Sequence, residues 1–139
     1  MEAITKQYLE LFAEHSQELR ECPQLLGHYR EGAYDTFARL GLPRFKSEDY
    51  QRTDLAKLFA GDWKLLLSEG SPYWASHAFP QGIFIGSLSD FVRLYPEVAK
   101  EHYGRIASVE TDALVALNTL FAAEGFVVYV PRGAKMPGH

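Results

Sequence analysis

The sequence predicts an α+β fold: an N-terminal helical hairpin over residues 1–43, an irregular segment over 44–81, a small mixed helix/strand unit over 82–133 and a tail over 134–139. Three observations lead there. Apolar residues recur at spacings of three and four through the first forty positions, the signature of helices buried on one side. Two short apolar runs later in the chain are bounded by glycine and proline, as strands are. Between those runs lie helical patterns with recognisable caps.

The first helix carries Ile4, Tyr8, Leu11, Phe12, His15 and Leu19 on one stripe, with Gln7, Glu10, Glu14, Gln17 and Glu18 mostly opposite. It should end near Cys22, because Pro23 disfavours helical geometry in the residue before it. A second helix starts at Pro23, whose fixed φ suits a first turn. Its buried face is Leu26, Tyr29, Ala33, Phe37 and Leu40, with Gly41 as a left-handed cap and Pro43 beyond it. Gly27 and Gly32 each weaken that helix by about 1 kcal/mol relative to alanine.

Thr53 is expected to cap a short helix over 54–59 that Gly61 ends, and 63–67 to form a short strand. Residues 68–81 read as a loop rich in Gly, Ser and Pro, whose Tyr73, Trp74 and Phe79 suggest packing. Residues 82–86, Gly-Ile-Phe-Ile-Gly, form an apolar strand. Ser87 or Ser89 caps a turn through Asp90 to Leu94, and Pro96 opens a helix that Gly104 closes. Thr111 is expected to cap the last helix, with Asp112 in its first turn and Leu114, Leu117, Phe121 and Ala122 toward the core. Gly125 stops it. Residues 126–130 read as a strand apolar on both faces, of the kind normally interior to a layered structure, and Pro131 ends it. No internal repeat or interdomain linker is evident.

Composition excludes several classes. The chain has 139 residues, 47% hydrophobic and 23% charged, so it is neither disordered nor low-complexity. Lys+Arg total 14 against 18 Asp+Glu. A nucleic-acid module needs a clustered basic surface. The densest such stretch, Arg44, Lys46 and Arg52, is offset by Glu48, Asp49 and Asp54. No run approaches the ~20 apolar residues of a membrane helix, and the N-terminus lacks a secretory pattern. The single cysteine, Cys22, excludes a disulfide scaffold and favours a cytoplasmic setting.

Chemistry-bearing motifs are missing. There is no phosphate-binding glycine loop, no His-Glu-x-x-His pair and no Gly-x-Ser-x-Gly elbow. The histidines at 15, 28, 77, 102 and 139 lack metal-ligand spacing. Cys22, between Glu21 and Pro23, has no neighbouring base to activate its thiol, so it reads as structural. Ser71, Pro72, Tyr73, Trp74 and Phe79 suit packing better than a ligand pocket. The expectation is a chain with no catalytic, metal or cofactor residues, hence no enzyme.

Two stretches carry a family resemblance. One runs Ser87-Leu88-Ser89-Asp90-Phe91 to Tyr95-Pro96-Glu97-Val98, then Tyr103-Gly104-Arg105-Ile106. The other runs from Ala113 through Leu117-Asn118-Thr119-Leu120-Phe121 to Glu124-Gly125-Phe126 and Tyr129-Val130-Pro131-Arg132-Gly133. They resemble the N-terminal region of the SufB/SufD family, on its SufD side. Within Glu48-Asp49-Tyr50-Gln51-Arg52-Thr53-Asp54-Leu55, the run from Tyr50 is similar to the family's Trp-(Lys/Arg)-Tyr-Thr-x-Leu signature, with Tyr50 in place of tryptophan and Arg52 in place of tyrosine. The resemblance implies a subunit of the SufBCD iron–sulfur cluster assembly complex. It implies that a right-handed parallel β-helix follows this region, and that the whole protein meets SufB through that β-helix and the ATPase SufC through a later helical region. The family's cluster-building cysteine and histidine belong to those later parts and map onto no residue here. An iron–sulfur cluster is thus implied for the full complex alone.

The expected role is a structural or docking domain, without nucleic-acid or membrane partners. The alternative is a self-contained binding module that accepts a partner strand, or a second copy, at the edge formed by Val127, Val128, Tyr129 and Val130.

Overall fold

The computed structural model describes residues 2–20, 22, 24–66 and 75–138. The first predicted helix is two: α1, Ala3–Glu14, and α2, Ser16–Arg20, which meet at His15 (φ −101°, ψ 12°). The second is likewise divided into α3, Gln24–Gly27, and α4, Arg30–Leu40. The start predicted at Pro23 lies outside the described residues. Gly41 ends α4 at φ 62°, in the left-handed region that only glycine enters freely. Phe12, late in α1, meets Tyr34, early in α4, at 5.9 Å between ring centroids. Thr5 Oγ1 lies 3.1 Å from where a Gly41 Cβ would sit. Early α1 therefore meets late α4, and the hairpin is antiparallel.

The hairpin does not close on itself. Its principal cover is α8, Ala113–Phe121, which packs most extensively on α4. Ala33 and Ala116 are fully buried, and such small side chains let the two helix backbones approach. One core joins Tyr8, Leu9, Ala33, Phe37 and Leu42 to Ala113, Ala116, Leu117 and Leu120. Leu40, predicted inside, is 42% exposed, and Leu42 beyond the Gly41 turn is buried instead. The wider buried face of α8, which adds Ala116 and Leu120 to the predicted set, reflects cover from both hairpin helices.

A short helix, α5, Leu55–Phe59, seals the first core. Tyr8 Oη donates to Phe59 O at 3.0 Å, and the two rings meet edge to face. Its cap is Asp54, which accepts from Lys57 N, rather than Thr53. The last helix is likewise capped by Asp112, at 2.8 and 3.0 Å from the amides of Leu114 and Val115, rather than Thr111. In both cases a carboxylate one position later takes the cap, as suits the helix dipole. Residues 63–66 form no strand. Trp63 turns back so that Nε1 donates to Leu58 O.

The second unit is a three-stranded antiparallel sheet: β1, His77–Ala78, β2, Phe84–Ser87, and β3, Phe126–Tyr129, in the order β1-β2-β3. β1 emerges from the segment predicted as loop. The tight turn before β2 passes through Gln81 and Gly82, both at positive φ. α6, Leu88–Leu94, follows β2 directly, with Ser87 Oγ accepting from Asp90 N. α7, Pro96–His102, begins on its proline as predicted. These two helices cover one sheet face through Phe84, Phe91, Ala99, Tyr95, Val127 and Tyr129. Gly86 is required where β2 passes the chain entering β1: a Cβ there would stand 2.6 Å from Ser76 Cα.

The prediction of a strand buried on both faces is overturned. β3 alternates exposed and half-buried residues. Val127 and Tyr129 face the second core, while Phe126, Val128 and Val130 are 53%, 58% and 44% exposed. The helices that would bury a second face are already committed to the first core.

Candidate functional site

β3 is the feature on which the predicted site residues converge. Its register on β2 sets Phe84 opposite Tyr129, Ile85 opposite Val128, Gly86 opposite Val127 and Ser87 opposite Phe126. Leu88 N donates to Gly125 O at 2.7 Å, so that pair bonds across the ladder. Bonded and non-bonded pairs alternate in an antiparallel ladder. Val127 and Tyr129 therefore direct their backbone groups at β2, and Val128 directs its own away from it. The four predicted edge residues thus divide. Tyr129 packs on Phe91 and Tyr95 at 5.3 and 5.6 Å between ring centroids, with Val127 beside it. Val128 and Val130 face outward. Among the described residues no strand pairs with the outer edge of β3.

Two polar clusters hold this sheet against its helices. Ser76 Oγ donates to Asp90 Oδ2 and accepts from Ser87 N, and Arg93 donates to Asp90 Oδ1 at 3.1 Å. These hydrogen bonds, led by that of Ser76, hold the Asp90 carboxyl below its usual range. Glu124 accepts from Ser89 N at 2.9 Å, from Ser89 Oγ and from Gly125 N, so it fixes the entry to β3 on the first turn of α6.

Sequence reasoning missed Arg30. Its side chain is almost wholly buried, with the residue 7% exposed. It donates to Leu19 O at 2.6 Å and to Ala122 O, the carbonyls at the ends of α2 and α8. A guanidinium there satisfies orphan carbonyls and meets the negative poles of two helices. Among the described residues no carboxylate pairs with it. No local signal marks it, since an arginine opening a helix is normally solvated. Nearby Tyr103 has its phenol pushed up by burial, with Arg30 acting against that shift.

The other candidates do not assemble. Cys22 is half-buried, with Sγ 4.0 Å from Glu18 O. His15 pairs with Glu18, His28 packs on Tyr29, His77 lies beside Phe79, and His102 is exposed at the end of α7. Cys22, His28 and Arg30 line an open cavity of 770 Å³ with Glu31 and Asp35. No three His, Cys, Asp or Glu side chains gather as metal ligands among the described residues. Ser71, Pro72, Tyr73, Trp74 and His139 lie outside those residues. No helix among them is long and apolar enough to cross a membrane.

A model of the SufBD protein N-terminal region matches residues 2–78 and 71–138. An iron–sulfur cluster assembly SufBD family protein of Arabidopsis thaliana, ABCI9, is 30% identical over 56 residues, 40% of this chain and 12% of that protein. A second from that plant, ABCI8, described as chloroplastic, is 29% identical over 56 residues, again 40% of this chain and 10% of the relative. The Synechocystis relative slr0074, of the same description, is 22% identical over 103 residues, 74% of this chain and 20% of that protein. The matches thus span a fifth or less of these relatives' length. No solved structure matches the chain significantly. The family model covers both the hairpin half and the sheet half, and α8 from the second half completes the core of the first: the chain belongs to the SufBD protein N-terminal region family.

Proposed function

We propose that this chain is the non-catalytic N-terminal domain of the SufD subunit of an iron–sulfur cluster assembly scaffold, with a structural or partner-docking role. The family match across both halves carries the reading, and relatives described as iron–sulfur cluster assembly proteins support it. In this reading the cluster is cargo of the whole complex, SufB and SufC are partners of the full-length protein, and the setting is cytoplasmic. Cys22 is a structural thiol, not a cluster ligand.

Anaerobic reconstitution with iron and sulfide tests the non-catalytic part. No stable iron–sulfur absorbance is expected. Absorbance that appears and is lost in Cys22→Ser overturns it. Co-expression of the full reading frame with SufB and SufC of the same organism tests the subunit. Recovery of one complex holding all three chains is expected, and a complex that forms only when SufB is left out assigns the chain to the SufB position instead.

The outward face of Val128 and Val130 favours a second reading, a module that recruits a partner strand at 126–130. Complete amide protection of Val128 and Val130 in a monomer would exclude it.

A further inference from the structure

The hairpin half holds a buried charge at the wall of a cavity. We infer that this cavity, between α2, α3 and the start of α4, is a binding site for a small organic monocarboxylate whose carboxylate meets the Arg30 guanidinium. The argument begins with charge. Arg30 is 7% exposed, and its two terminal nitrogens donate to the carbonyls of Leu19 and Ala122. Carbonyls carry partial charge, and α2 has five residues, so its negative pole is weak beside a full guanidinium charge. Among the described residues no carboxylate bonds to Arg30. Its Nε–H is buried and makes no hydrogen bond. Tyr103 is the other titratable group that feels this charge, and burial keeps its phenol neutral. Folded proteins pair buried charges, because an unbalanced one is costly. A bound anion would supply both the missing charge and an acceptor for the spare donor.

The cavity that Arg30 lines measures 770 Å³, within the range of small-molecule sites. Its other walls set the class of ligand. Phe12 and Tyr34 contribute aromatic surface and contact each other at 5.9 Å between ring centroids. The remaining charged residues around it, Arg20, Glu31 and Asp35, are exposed. Glu31 and Asp35 lie one helical turn apart on α4, on the same side of that helix. Two carboxylates near the opening repel a multiply charged anion such as phosphate. A single carboxylate answers the one buried cation, and its planar pair of oxygens suits a guanidinium. The aromatic surface then takes an apolar body attached to that carboxylate.

NMR of the full chain tests this through the Arg30 Nε–H resonance, with 3-phenylpropionate as the probe. Its neutral amide and inorganic phosphate serve as controls at equal ionic strength. The Arg30 resonance should move on addition of 3-phenylpropionate and saturate with a Kd of about 1 mM. The amide should bind about tenfold more weakly or worse, and phosphate should give no saturating shift. Glu31→Gln combined with Asp35→Asn should tighten binding about threefold, since both side chains are exposed and screened. Tyr34→Ala should weaken it about fivefold through lost apolar contact. Substituting Arg30 itself costs stability, so the resonance and the Tyr34 variant carry the test. Equal binding of acid and amide, tighter binding of phosphate, or shifts that bypass Arg30 overturn the inference. Binding that appears only in Glu21→Gln would make that carboxylate Arg30's own counter-ion and overturn it as well.

Discussion

Arg30 shows how one side chain decides the joining of three helices. Its two bonded nitrogens tie the ends of α2 and α8 to the start of α4. Replacing it by methionine keeps much of the apolar stem but leaves the Leu19 and Ala122 carbonyls to find other partners. A buried acceptor left unpaired costs about 1–3 kcal/mol. Arg30→Met should therefore destabilise the fold by roughly 2–4 kcal/mol in urea denaturation. A change under about 0.5 kcal/mol would mean water replaces the guanidinium at both carbonyls.

Asp90 works in the opposite, readily titrated way. Hydrogen bonds from Ser76, then Arg93, favour its charged form, so its folded pKa lies below the unfolded value. The linked stabilisation is present above the unfolded value, about pH 4, and is lost as pH falls through the folded one. The group is partly exposed, with 40% side-chain accessibility, so solvent screens the effect. Asp90→Asn should lower the melting temperature at pH 7, and the gap from the parent chain should narrow between about pH 5 and about pH 2. A gap that stays constant over that range would assign Asp90 a purely steric role.

At the scale of elements, several caps and starts were readable from local chemistry to within one position, whereas the breaks at His15 and between Gly27 and Arg30, and the end of α8 at Phe121 rather than at Gly125, were not. The Ser87 cap, the Pro96 start and the Gly41 stop each follow from what those residues do to a chain anywhere. The choice of Asp54 over Thr53 and Asp112 over Thr111 needed the backbone path, because both residues of each pair make competent caps. Gly32 is a clean test of local propensity. It lies inside α4, and nothing stands within 4 Å of the position a Cβ would take. Gly32→Ala should raise stability by about 0.5–1 kcal/mol, read from thermal melts. A loss would show that α4 needs the glycine's backbone freedom at this exposed position. The strand read at 63–67 failed where described because a short run of large residues, Trp63-Lys64-Leu65-Leu66, has no strand period of its own and also suits a turn that folds Trp63 back on Leu58.

At the scale of the molecule, the two halves are not separable. The hairpin's apolar face is completed by α8, more than seventy residues along the chain from the end of α4. Residues 1–78 alone would expose Phe37, Ala33 and Leu9. That fragment should show little fixed tertiary structure by NMR or near-UV circular dichroism, although it holds one whole family-matched stretch. Dispersed side-chain signals from 1–78 would show that the hairpin suffices.

The sequence by itself determined the α+β class, the helical and strand-forming stretches, the family and the dearth of catalytic motifs, because these depend on spacing and on residue types with local effects. The tertiary structure decided which face each stretch buries. It made Arg30 a core residue, because helix ends distant in sequence bring their carbonyls to it. It moved β3 from an expected interior strand to an edge with Val128 and Val130 outward, because α6 and α7 cover one sheet face while α4 and α8 bury each other. A strand apolar on both sides specifies only that its faces prefer cover. Which face receives it depends on where the remaining apolar surface has already been spent.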